Sequence, residues 1–110
     1  MILSTDIWVS ALIRRAELAG AFATVVRKGD PRAGAVLVKV LDRREGQVRL
    51  YAEATRVDGD RVWMRPARAE EEKELDAYIE RAVRVDPDVW VVEIDDRQGR
   101  HFLTEPVEKG

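Results

Sequence analysis

The sequence has no cysteine, a single histidine and no long run of apolar residues. The absence of cysteine excludes a disulfide framework and a thiolate metal site. Near the N-terminus, Asp6 and the pair Arg14 and Arg15 interrupt the apolar residues. No basic start precedes those residues, so we expect no secretory signal. Nothing approaches the ~20 apolar residues of a membrane span. We therefore expect a cytoplasmic protein with no membrane partner.

The sequence also lacks the usual signatures of catalysis. No serine lies in a recognisable nucleophile elbow. The glycine-bounded segment 29–34 joins two strand-like runs, so it has no helix terminus with which to bind a phosphate. The net charge of -2 argues against a general nucleic-acid binder. We expect no cofactor, and a binding function is favoured over an enzymatic one.

Strand-forming runs fill the first half of the chain, at residues 22–27, 35–41, 48–55 and 62–64. Short turn-like segments separate them, which predicts antiparallel pairing. In the third run Val48 and Leu50 share one face, whereas Arg49 and Tyr51 share the other, as in a strand with one solvated face. The second run is apolar on both faces until Lys39, so we expect it to be central in the sheet.

Helical patterns flank these strands, at residues 6–19 and 67–85. A further strand is predicted at 89–94, a short one at 101–103, and a loose tail at 104–110. The element order α-β-β-β-β-α-β-β predicts a single α+β domain over residues 1–110. Its sheet is expected to be mostly antiparallel, with five to six strands and both helices packed on one face.

That arrangement leaves the second face of the sheet open to a partner. By alternation, the residues on this face combine arginines with aromatic rings: Arg49, Tyr51, Arg61, Trp63 and Arg65. Exposed aromatic residues on a sheet often mark a protein interface. The favoured function is therefore protein binding or self-association through this face or an edge strand. Single-stranded nucleic acid is a less favoured partner for the same residues.

A metal-dependent, nuclease-like site is the alternative from another class. The order of helix, sheet and helix, with acidic residues and a lysine on strands, resembles the restriction-endonuclease-like core. The candidate residues here are Asp30, Lys39, Glu93, Asp95 and His101. Leu37 stands where that core has an acidic residue, so its triad is broken. We therefore predict no metal and no assigned catalytic residue.

Several segments together are similar to one known family. They are DIWVS at 6–10, GAFA at 20–23, KGD at 28–30, DPDVWVVE at 86–93 and GRHFL at 99–103. With them the chain resembles a family of small alphaproteobacterial proteins described as a domain of unknown function, family 1491. The resemblance implies a bacterial, cytoplasmic protein. It implies no activity, cofactor or catalytic residue.

Overall fold

The computed structural model describes residues 3–66 and 71–108. Two helices and six strands follow one another in the predicted order, which confirms the α+β class. Residues 67–70, where the second helix was predicted to begin, lie outside the described residues. The elements are α1 (Thr5–Leu18), β1 (Phe22–Arg27), β2 (Val36–Asp42), β3 (Gln47–Thr55), β4 (Arg61–Met64), α2 (Glu72–Val85), β5 (Trp90–Asp96) and β6 (Val107–Glu108).

All six strands form one mixed sheet in the order β1-β5-β2-β3-β4-β6. The pairs β1–β5, β2–β3 and β3–β4 are antiparallel, whereas β2–β5 and β4–β6 are parallel. The apolar strand β2 lies inside the sheet, as its sequence predicts. The consecutive strands β1 and β2 are not neighbours, because β5 inserts between them.

The connection between β1 and β2 therefore crosses the start of β5 and passes very close to it. Trp90 Nε1 donates a hydrogen bond to the carbonyl oxygen of Asp30 at 2.7 Å. A Cβ atom on Gly29 or Gly34 would lie 2.1 or 2.3 Å from the carbonyl oxygen of Asp88. Only glycine fits so close an approach between two backbones. These glycines therefore serve the crossing of two segments, where the sequence suggested a simple turn.

The two helices cover opposite faces of the sheet, so the prediction that both pack on one face is wrong. On the α1 face, residues of α1 such as Leu12 pack against Val38, Tyr51 and Trp63. On the α2 face, Leu75 of α2 packs with Leu37, Leu50 and Val91. The physical reason lies in β2 and β5, which carry apolar side chains on both sides and must be covered on both.

The C-terminal residues extend the α1 face. Leu103 joins the core there. Trp63 N–H donates to the carbonyl oxygen of Pro106 at 2.8 Å, and β6 pairs with β4. The predicted strand at 101–103 is therefore replaced by Val107–Glu108. The predicted loose tail is corrected over residues 104–108, while 109–110 lie outside the described residues. No helix within the described ranges has the length and apolar character needed to cross a membrane.

Candidate interaction surface

The predicted Arg/aromatic surface lies inside the protein. Trp63 is 0% exposed and Tyr51 is buried. The ring of Trp63 stacks on that of Trp8 in α1, with 5.3 Å between centroids. The prediction that Tyr51 and Trp63 lie on an uncovered face is therefore wrong, because α1 and the C-terminal segment cover them. This arrangement leaves those two rings no free face on which nucleic-acid bases would stack.

The arginines of that group lie at the rim of the same core. Arg49 Nη1 contacts Asp42 Oδ2 at 3.0 Å. Arg61 Nε lies 2.6 Å from Glu53 Oε2, and its guanidinium carbon is 5.6 Å from the centroid of Trp8. Burial raises the pKa of Glu53, and the charge of Arg61 offsets only part of that rise. Arg65 is exposed. Arg49 and Arg61 thus form ion pairs at the border of the aromatic core.

Beside Arg61, the α1 face opens into a cleft of about 510 Å³. Glu105 spans its floor, since its carboxylate accepts the indole N–H of Trp63 at 3.0 Å and that of Trp8 at 3.2 Å. Burial alone would raise the pKa of Glu105, but these hydrogen bonds and nearby Arg61 lower it overall. Because Glu53, Arg61 and Glu105 are engaged with one another or with the indoles, this cluster fastens the C-terminal segment to α1.

The five candidate residues of the nuclease-like site do not converge. Asp30 lies in the β1–β2 connection, where its carboxylate accepts the backbone N–H of Ala33 at 2.8 Å. Lys39 and Glu93 are paired on the α2 face, with 3.8 Å between Nζ and Oε2. Asp95 binds Arg43 at the far end of β5, and this contact lowers the pKa of Asp95. Across residues 3–66 and 71–108, no group of three or more His, Asp or Glu side chains is arranged to hold a metal ion.

The single histidine lies on the other side of the sheet from Glu93 and Asp95. His101 packs edge-on against Tyr51, with 5.1 Å between ring centroids. Its Nδ1 accepts the backbone N–H of Leu103 at 2.9 Å, and burial lowers the pKa of the imidazole. Neither Glu93, which contacts Lys39, nor Asp95, which contacts Arg43, orients the imidazole. His101 therefore supports the C-terminal turn.

Lys39 is buried beneath the first turns of α2, and only 5% of the residue is exposed. Its ammonium lies 2.5 Å from Glu72 and 2.8 Å from Asp76, both on the first turns of the helix. Burial by itself lowers the pKa of Lys39, but the bonds to Asp76 and Glu72 outweigh burial and raise it. A lysine kept protonated in this way is a poor base, and it anchors α2 to the sheet instead.

Two buried carboxylates close one end of the sheet. Asp42 and Asp96 stand opposite each other where β2 and β5 end. Arg100 donates to Asp96 through its side chain and its backbone. These contacts and the backbone N–H of Gln98 outweigh burial, which by itself raises the pKa, and they lower the pKa of Asp96 to about 2. At Gly99, φ is +71° and a Cβ would lie 2.3 Å from the Asp42 carboxylate. The two carboxylates therefore stabilise the turns that follow β2 and β5.

Strand β1 exposes apolar side chains at an edge of the sheet that no other described strand covers. It forms one edge of the sheet and pairs only with β5. Phe22 is 76% exposed and Val26 is 59% exposed, and Thr24 and Val25 are also exposed. Residues 22–26 carry no charge. We call residues 22–26 the β1 edge. Its outward N–H and C=O groups can pair with a strand from another chain.

The opposite edge of the sheet is built differently. Strand β6 has two residues and follows Pro106. A very short edge next to a proline offers few groups for pairing. The sequence predicts the extent of β1 correctly but gives no local sign that β1 is an edge. β1 is an edge because β5, about 60 residues away in sequence, inserts between β1 and β2. The contacts that allow this insertion depend on the close approach of two backbone segments, which the residues of β1 do not reveal.

The fold and sequence of this chain are shared with known proteins. Residues 3–104 match the model of the family described as protein of unknown function, DUF1491. A crystal structure of a DUF1491 family protein from Caulobacter crescentus has 75% sequence identity and a TM-score of 0.94, and the match covers 97% of this chain and 100% of that one. The solution structure of protein Atu0922 from A. tumefaciens has 36% identity and a TM-score of 0.79, with 96% and 95% covered. No curated protein is significantly similar to the chain. The protein therefore belongs to the DUF1491 family.

Proposed function

We propose that this protein is a binding module that self-associates through the β1 edge. The observation that carries the proposal is the combination of a free sheet edge with exposed, uncharged side chains at Phe22, Val25 and Val26. A six-residue strand with no interior charge or proline lacks two of the features by which edges are normally protected, and the register irregularity of β1 is confined to its end, after Val25.

A second copy of the chain can pair with the free backbone groups of this edge and cover its exposed apolar side chains. Strand addition between two edges pairs the outward backbone groups of both. It also removes Phe22 and Val26 from water, which stabilises the pair by roughly 25 cal/mol per Å² of apolar surface buried. Since residues 22–26 are uncharged, two copies of the strand approach each other without mutual repulsion.

The rival apolar surface lies on α2. A shallow groove of about 490 Å³ there is lined by Tyr78, Ala82, Val85 and Val89, together with Arg81 and Asp86. Unlike the β1 edge, this groove has charged residues along its border and exposes helical backbone whose hydrogen bonds are already made. We therefore assign self-association to β1 and use the α2 groove as a control surface.

The test compares two double variants by sedimentation equilibrium over a range of protein concentrations. Phe22→Lys with Val26→Lys places lysines on the β1 edge, a feature by which natural sheets prevent edge pairing. We expect the unmodified protein to dimerise and this variant to remain monomeric, with a dissociation constant raised at least tenfold.

The matched control is Val57→Lys with Val85→Lys. It adds the same charge at two highly exposed valines, one in the β3–β4 turn and one at the α2 groove. We expect this control to dimerise like the unmodified protein. A monomeric unmodified protein at every concentration, or loss of the dimer in the control alone, would overturn the proposal.

A further inference from the structure

We infer that the self-associated form is a closed, two-fold symmetric dimer in which the β1 strands pair antiparallel with Thr24 on the axis. This inference rests on the proposed function and specifies the partner and its register. It follows from which side of the sheet each β1 residue faces and from the chemistry at the two ends of the strand.

Side-chain alternation limits the registers that are available. Residues directly opposite each other in an antiparallel pair point to the same side of the sheet. Thr24 is opposite Glu93 and shares the α2 face, whereas Ala23 and Val25 are opposite Ile94 and Val92 and share the α1 face. An axis between two residues would set Thr24 against Ala23 or Val25, on opposite faces. The axis must therefore pass through a residue.

Among such residues, Thr24 gives the best match. An axis there sets Ala23 opposite Val25 and brings Phe22 beside Val26, the residue at the irregularity after Val25, so the exposed apolar side chains of the two copies lie next to one another. An axis at Val25 would set Phe22 opposite Lys28. It would also set Ala23 opposite Arg27, which the irregularity after Val25 turns to the α2 face. An axis at Ala23 would leave Val26 outside the pairing, opposite Gly20.

The ends of the strand agree with this register. With Thr24 on the axis, Lys28 of one copy lies near Gly20 of the other, directly after α1, where Arg100 already donates a hydrogen bond to the carbonyl oxygen of Ala19. The C-terminus of a helix carries partial negative charge and is stabilised by a nearby cation. The last turn of α1 also includes exposed Glu17. Lys28 makes no ion pair within the part of the chain that the structure describes, so it is available for this contact.

The symmetry also sets the size of the assembly. Both copies use the same edge, so the interface is isologous and closes at two subunits. The outer edges of the joined sheet are then the two short β6 strands, which offer little for further addition. The inference therefore predicts a dimer and excludes a filament.

The test uses charge at the axis, where residue 24 faces its own copy. Thr24→Lys and Thr24→Glu are exposed substitutions, so circular dichroism should show unchanged folding in both. Alone, each variant sets like charges opposite each other, and we expect each to be a monomer by native mass spectrometry. Mixed in equal amounts, the two should form a heterodimer that weakens as salt is added, because opposite charges now meet.

The outcomes separate the register from the proposed function. If either variant alone dimerises as well as the unmodified protein, or the mixture stays monomeric, Thr24 is not on the axis. The proposed function still stands in those cases if the Phe22→Lys, Val26→Lys variant abolishes dimerisation. If the unmodified protein never dimerises, both the register and the proposed function fail.

Discussion

The two faces of the sheet are covered by different means. On the α1 face, a helix and the C-terminal segment enclose an aromatic core, with Trp8 stacked on Trp63 and both indoles bound to Glu105. On the α2 face, one helix is seated by Leu75 and by Lys39, whose carboxylate partners are about half exposed. The α1 face is therefore stabilised mainly by the burial of a large apolar core. The α2 face is stabilised by a smaller apolar cluster and by the ion pairs of Lys39.

The difference explains why the β1 edge, the surface proposed to bind a second copy, stays exposed. Residues of α2 pack over β2, β3 and β5, and those of β1 are absent from their apolar cluster. Phe22 and Thr24, which β1 directs to the α2 face, stay exposed. A second chain bound at the β1 edge would cover these side chains, which α2 does not reach.

The largest effect is expected at the aromatic core. Trp63→Ala removes a fully buried ring from the α1 face, so we expect a loss of about 4 kcal/mol in the free energy of unfolding. Denaturant titration measures it. The control Trp63→Phe keeps a ring for Trp8 but loses the bond to Glu105 and should cost about half as much. A loss below 1 kcal/mol for Trp63→Ala would show that the α1 face does not dominate stability.

A smaller and more local effect is expected under α2. Leu75→Ala opens a cavity at a residue that is 0% exposed, which should cost about 3 kcal/mol. Because Leu75 is the only buried residue of α2 over Glu72–Val85, and the other apolar side chains of this helix that pack against the cluster are only partly buried, hydrogen exchange should accelerate in residues 72–85 while α1 keeps its protection. Equal acceleration in both helices would contradict the distinction between the two faces.

The smallest effect concerns Asp96, at the end of the α1 face. Its pKa falls from 3.8 to about 2 on folding, so the folded state holds fewer protons than the unfolded state in that range. The stability this carboxylate contributes is present above pH 3.8 and is lost as the pH falls towards 2. Asp96→Asn should therefore cost about 2 kcal/mol at neutral pH, since donors from Arg100 and Gln98 lose a charged acceptor.

The matching measurement is denaturant titration of both proteins from neutral pH to pH 2. The stability difference between the unmodified protein and Asp96→Asn should shrink as the pH falls. A difference that stays constant down to the lowest pH would mean that the ionisation of Asp96 does not stabilise the fold. Asp60→Asn, at an exposed turn residue, should show little effect at any pH.

The sequence predicts the local structure of this protein well because hydrophobic alternation and turn chemistry are local signals. The extent of β1 and the central position of β2 follow from it. The placement of the helices does not, because alternation in β3 shows that Tyr51 and Leu50 face opposite ways but not which side each helix takes. Glu105 is a further example: it binds both indoles in space, yet nothing in a polar segment near the C-terminus signals that role.

The same limit applies to the candidate site. Arg61 and Trp63 were correctly placed on one side of β4, and Lys39 and Glu93 do lie side by side. The exposure of each depends on contacts distant in sequence, from Trp8 to Trp63 and from Lys39 to Glu72. A strand edge likewise depends on the order of strands in space.

The most direct test of the account is amide hydrogen exchange in β1 measured at low and at high protein concentration. Self-association through this edge would protect the outward amides of residues 22–26, so we predict that their exchange slows as concentration rises. The amides of Val107 and Glu108 on the opposite edge should be unaffected. Exchange in β1 that is independent of concentration, or slowing confined to α2, would contradict the claim that the β1 edge binds a second copy.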